Sequence, residues 1–96
     1  MSQTLVDFQT TLDPKARGEI RGTAKLEIAD EGCIMLSQDG ARIGDEPADV
    51  TLKASVETFL AILDGSQNPI TAYMSGKLKV DGNAQRALKV SSILTA

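Results

Sequence analysis

The chain has 96 residues, 42% apolar and 24% charged, with a formal net charge of −3, one cysteine and no histidine. That length holds one domain with one core, and the acidic balance argues against a nucleic-acid partner. The lone Cys33 forbids an internal disulfide, and the missing histidine removes Ser-His-Asp and Cys-His catalysis and histidine metal ligation.

Taken in chain order, Leu5, Phe8 and Leu12 fall at helical spacing. They predict a short amphipathic helix capped by Ser2 or Thr4 and halted or turned at Asp13-Pro14. Residues 22–29 then alternate, with Ala24, Leu26 and Ile28 on one face and Lys25 and Glu27 on the other, as a half-buried strand does. Residues 33–37 form a second strand, apolar on both faces. Asp39-Gly40 marks a hairpin, and residues 41–44 a short third strand. Residues 48–54 alternate again and complete a four-strand meander.

The period changes after Ser55, a natural N-cap. Val56, Phe59, Leu60, Ile62 and Leu63 make a broad helical stripe ended at Asp64-Gly65. Asn68-Pro69 opens a further helix carrying Ile70, Tyr73 and Met74, which Gly76 ends. Residues 77–80 give a last strand with Leu78 and Val80 inward. Asp81-Gly82 turns, and Asn83 caps a closing helix striped by Ala84, Ala87, Leu88, Ser91 and Leu94. Strands early and helices late predict an α+β fold in which helices cover a sheet.

Motifs for chemistry are few. Ser75-Gly76-Lys77 imitates part of a phosphate loop, but Thr71 stands where its first glycine belongs and Leu78 where it needs Ser or Thr. The acidic residues sit in turns, which turn chemistry explains. Asp39-Gly40 and Asp81-Gly82 lack the spaced ligands of a calcium loop. Cys33 lies in a strand with no histidine to activate it. The expectation is a non-catalytic protein with no cofactor and no metal. The ten Lys and Arg are scattered, without a polybasic run for anionic headgroups. No apolar run approaches the ~20 residues of a membrane span, so stable membrane insertion is not expected. The start does not read as a secretory signal, nor the end as a peroxisomal Ser-Lys-Leu address. The cytoplasm is the expected location.

Residues 48–59, then Leu63-Asp64-Gly65, then residues 68–82 (Asn-Pro-Ile-Thr-Ala-Tyr-Met-Ser-Gly-Lys-Leu-Lys-Val-Asp-Gly), closely resemble the lipid-binding domain of the sterol carrier protein 2 family. Residues 88–94 resemble that family's last helix, and the match runs in register but more faintly over residues 22–44. The resemblance implies that residues 1–96 form one lipid-binding domain. Its expected fold is a five-stranded, mostly antiparallel, twisted sheet covered on one face by helices, with an apolar tunnel between the layers.

The resemblance further implies a small stand-alone carrier of fatty acid, fatty-acyl-CoA or a similar acyl-chain lipid, with no catalysis. The missing address fits a bacterial member. The expected tunnel lining is Leu26, Ile28, Ile34 and Leu36 from the sheet, Phe59, Leu63, Ile70, Tyr73 and Met74 from the middle helices, and Leu88 and Leu94 from the last. Release would follow a shift of either of the last two helices. The remaining expectations are a monomer or weak homodimer and contact with enzymes of fatty-acid metabolism. The alternative is a protein-interaction or scaffold module of lipid metabolism with a vestigial tunnel.

Overall fold

A computed structural model describes residues 3–20 and 22–95. The elements in chain order are α1 (Gln3–Ala16), β1 (Ala24–Ile28), β2 (Gly32–Ser37), β3 (Gly40–Ile43), β4 (Val50–Ala54), α2 (Val56–Asp64), α3 (Pro69–Met74), β5 (Lys79–Gly82) and α4 (Ala84–Thr95). They form an α+β fold with one five-stranded mixed sheet.

Strand order is β3-β2-β1-β4-β5. β1 pairs antiparallel with β2, β2 with β3, and β4 with β5, whereas β1 and β4 run parallel. The expected meander therefore stops after β3. The chain then crosses back over β2 and β1 to place β4 on the far side of β1. Local alternation carries no information on strand order, but β2 shows the consequence. Cys33, Ile34, Met35 and Leu36 are all buried, because the returning segment covers the outer face. Gly44 donates its N–H to the Cys33 carbonyl at 3.1 Å. Asp45 accepts a 2.8 Å charged hydrogen bond from Lys25 of β1.

The inner face is continuous and dry. In register, Leu26 stands between Ile34 and Leu52, and all three are at most 1% exposed. Helices cover this face. α1 buries Leu5, Phe8, Leu12 and Ala16, spaced three or four apart as a core-facing stripe requires. It lies against β2 and β3, while α4 covers β4 and β5 and touches α1 and α2.

Asp13-Pro14 does not end α1, which continues to Ala16. Pro14 removes one backbone donor, but the last turn is held from outside. The Asp13 carboxylate accepts from the Ala41 N–H of β3 at 2.9 Å and from Arg17 at 2.8 Å, while Leu12 and Ala16 are each 1% exposed. Thr4 lies inside the helix; Ser2, the other expected cap, lies outside the described residues. The later caps form as the sequence specifies. The Ser55 hydroxyl accepts from the Thr58 N–H at 3.1 Å, and Gly65 closes α2 at φ +86°.

A groove between helix α3, strand β5 and helix α4

Asn68 starts α3 by accepting from the backbone N–H groups of Ile70 and Thr71 at 2.8 and 3.3 Å, with Pro69 at the first helical position. α3 is six residues long and buries only Ala72. The Ala72 carbonyl accepts from both Lys77 N–H and Leu78 N–H, at 2.9 and 3.0 Å. This pair of hydrogen bonds folds the chain back sharply and drives Leu78 into the interior, 3% exposed, ahead of β5.

β5 then pairs with β4, which places Val80 opposite Leu52 on the helix-covered face. Gly82 sits opposite Val50 at φ +112°. A Cβ there would come within 2.7 Å of the Asp49 carbonyl oxygen, so the site accepts only glycine without displacement. Asn83 immediately caps α4 by accepting from Gln85 and Arg86 N–H at 2.8 and 3.1 Å. The tight β5–α4 join brings one face of α4 across from α3.

Between them lies a groove of about 290 Å³, lined by Ile70, Tyr73, Met74, Leu78, Val80 and Leu88 with Pro69, Ala84, Ala87 and Ser91. Its wall is almost entirely carbon. The one hydroxyl on its α4 side, Ser91, is spent on the Ala87 carbonyl at 2.8 Å. The groove is not sealed: Ile70, Tyr73 and Leu88 are each about half exposed, and Met74 is 80% exposed.

Four of the eleven expected lining residues, Ile70, Tyr73, Met74 and Leu88, therefore meet at one site. Six others do not line this groove. Leu26, Ile28, Ile34, Leu36, Phe59 and Leu94 belong to the packed core at 2% exposure or less, because the helices descend fully onto the middle of the sheet. Leu63 is half-buried against that core. This apolar groove thus lies at the β5 edge of the sheet. Among the wall residues absent from the expected lining, Leu78 and Val80 carry the signal of inward alternation, and Ala84, Ala87 and Ser91 that of the α4 stripe. Nothing in periodicity separates a groove wall from a core.

Among the described residues no charged side chain lines the groove. Burial, followed by the charge of Asp45, pushes the Cys33 thiol up, which disfavours the reactive thiolate. Hydrogen bonds from Arg17 and Ala41 hold Asp13 below its usual range, and Lys25 does the same for Asp45. Among the described residues no three His, Cys, Asp or Glu side chains gather where a metal could sit, and no helix is long and apolar enough to cross a membrane.

Comparison with known proteins gives a consistent result. The profile of the SCP-2 sterol transfer family matches residues 4–95. The rat hydroxysteroid dehydrogenase-like protein 2 is 38% identical over 78 residues, 81% of this chain and 14% of the rat protein, so the chain spans about one seventh of that relative's length. The sterol carrier protein domain 2 of Helicoverpa armigera superposes with a TM-score of 0.76 at 21% identity, over 95% of this chain and 85% of the other. The sterol carrier protein 2 of Aedes aegypti, solved in complex with the C16 fatty acid palmitate, also gives 0.76, at 18% identity over 98% and 96% of the two chains. At those identities the structures speak for the fold.

Proposed function

The chain belongs to the SCP-2 sterol transfer family, and from that premise we propose that it carries an acyl-chain lipid, a fatty acid or fatty-acyl-CoA, in the groove between α3, β5 and α4, without catalysis. The carrying observation is the carbon-lined wall of Ile70, Tyr73, Met74, Leu78, Val80 and Leu88, left partly open to water. A palmitate complex of the Aedes aegypti relative supports the ligand class.

The energetics favour a tail over a headgroup. Each buried methylene contributes about 0.8 kcal/mol, so a chain of ~16 carbons gains on the order of 12 kcal/mol before association costs. With almost no polar wall, the groove selects for hydrocarbon length and little else. The resting volume of about 290 Å³ stands at the low end of the ~300–1,000 Å³ of drug-sized ligand sites. A long chain enters if α3 moves outward. α3 is the helix suited to this, since it anchors through Ala72 alone, whereas α4 buries Ala87, Val90, Ser91, Ile93 and Leu94. A disulfide tying α3 to α4 should slow lipid exchange, and unchanged exchange would refute the moving helix.

Native mass spectrometry of the protein from its own host, followed by extraction, tests the reading. A reproducible one-to-one acyl lipid supports it. A clean apo mass with no uptake of a fluorescent fatty acid turns the reading to a protein-interaction module, which the exposed Leu60, Ile70, Tyr73, Met74 and Leu88 would serve.

A further inference from the structure

We infer that α1 guards an edge of the sheet: Gln9 and Asp13 occupy the backbone of β3 where a second copy of this chain would otherwise add its own β3, and so hold the protein monomeric. The inference is independent of the carrier reading.

β3 is an edge strand, with β2 as its one strand neighbour. In an antiparallel pair, successive residues turn their N–H and C=O alternately toward the partner strand and away from it. Gly44 donates to the Cys33 carbonyl of β2 at 3.1 Å, so the alternation turns Ala41 and Ile43 outward. Outward backbone groups on an edge strand are a template for pairing with another chain. Charge commonly blunts such an edge, but the one charged residue of β3, Arg42, is matched by Glu46 through two 2.6 Å hydrogen bonds.

α1 supplies the cover instead. The Asp13 carboxylate accepts from the Ala41 N–H at 2.9 Å, and the Gln9 side-chain amide donates to the Ala41 carbonyl at 3.2 Å. These two side chains stand four residues apart on one helix face. Together they reproduce the donor and acceptor that a neighbouring strand presents to one residue. The guard is pinned at its end. Arg17 donates to the Asp13 carboxylate at 2.8 Å, and Gly18 N–H donates to the Gln38 carbonyl, just before β3, at 2.9 Å. Gly40 is fitted to the same contact. It sits at φ +116°, and a Cβ there would collide with the Asp13 carboxylate.

The partner that the bare edge fits is a second copy of the chain. Antiparallel pairing of β3 with itself is two-fold and self-complementary, so it closes at a dimer.

Sedimentation velocity over a concentration series tests the guard on the native protein, on Gln9→Ala/Asp13→Ala and on Asp13→Asn, with circular dichroism to check folding. The native protein should stay monomeric. The double variant should dimerise at least about tenfold more tightly, since two hydrogen bonds per copy no longer compete with pairing. Asp13→Asn keeps a carbonyl oxygen for the Ala41 N–H and should stay monomeric, although it loses the Arg17 ion pair. In the dimer the backbone amides of Ala41 and Ile43 should gain protection from hydrogen exchange that disappears on dilution. A folded double variant that remains monomeric overturns the guard, as do equal dimerisation of Asp13→Asn and a native protein already paired through β3. Dimerisation that leaves the Ala41 and Ile43 amides exchanging freely places the contact on another surface and also overturns it. Should the double variant not fold, Gln9→Ala alone decides: a shift toward a dimer with those amides protected supports the guard, and an unshifted monomer overturns it.

Discussion

Phe8 of α1 and Phe59 of α2 meet edge to face, ring centroids 6.3 Å apart and planes at 77°. They join the first helix to a helix far along the chain, over the inner face of the sheet. Edge-to-face pairs add roughly 0.5–1.5 kcal/mol beyond the area they bury. Phe59 is 1% exposed, and Phe59→Ala should destabilise the fold by about 3–5 kcal/mol. In denaturant unfolding the midpoint should fall with an unchanged slope; a loss under about 1 kcal/mol, well short of that range, would mean the interior is loosely packed there.

Core and groove should separate under mutation. Leu26→Ala removes atoms from the packed sheet face and should cost about 2–5 kcal/mol of stability, while the folded protein still takes up a fluorescent fatty acid. Ala84→Trp, placed in the groove wall at an exposed position, should leave stability within about 0.5 kcal/mol and reduce uptake about tenfold, the loss of roughly two buried methylenes' worth of binding. Titration of both proteins with the same probe, next to thermal unfolding, checks the contrast. The reverse pattern would return the site to the middle of the sheet.

The crossing segment between β3 and β4 gives the protein an acid sensitivity. Lys25 donates a 2.8 Å hydrogen bond to Asp45 and so holds that carboxyl below its ordinary 3.8. Because the folded pKa is the lower one, the pair stabilises the fold above the ordinary value, and the stabilisation disappears as pH falls through the lower folded value. Asp45→Asn lacks the charge at every pH. The stability gap between native protein and variant should close on acidification below 3.8, followed by denaturant midpoints across that range. A gap independent of pH would show that the ion pair contributes nothing.

Gly82 makes the β5–α4 join that faces the two groove walls toward each other. At φ +112°, with the Asp49 carbonyl 2.7 Å from any added Cβ, Gly82→Ala should cost on the order of 1–3 kcal/mol. It should also weaken acyl-chain uptake, because α4 shifts relative to β5. Thermal unfolding and probe titration of the variant check both effects. If Gly82→Ala leaves stability at the native level, the turn relaxes freely and the join is not the constraint.

Much of this architecture is written in local chemistry. Ser55, Asn68 and Asn83 each cap the helix they precede, and the alternation of Ala24, Leu26 and Ile28 gives β1 its buried face. The parallel pairing of β1 with β4 is not legible, because alternation fixes a face and leaves the neighbour open. Only the double apolarity of β2 hints at a covering segment. The continuation of α1 through Pro14 depends on Asp13 bonding to Ala41, 28 residues away. The site is half legible. The α3 residues and Leu88 are apolar residues that the fold leaves outside, whereas Leu26, Ile34 and Leu36 carry the same pattern and are entirely enclosed. Inward and outward differ by what packs above, which is a property of the assembled layers.

Methyl-resolved NMR of the protein titrated with palmitate addresses the central claim most directly. Resonances of Ile70, Met74, Leu78, Val80 and Leu88 should shift and saturate at one equivalent, while Leu26, Ile34 and Leu36 stay nearly fixed. Saturable binding that moves the sheet-centre methyls and leaves Met74 and Leu88 unchanged, or no binding at all, would contradict the groove as the lipid site.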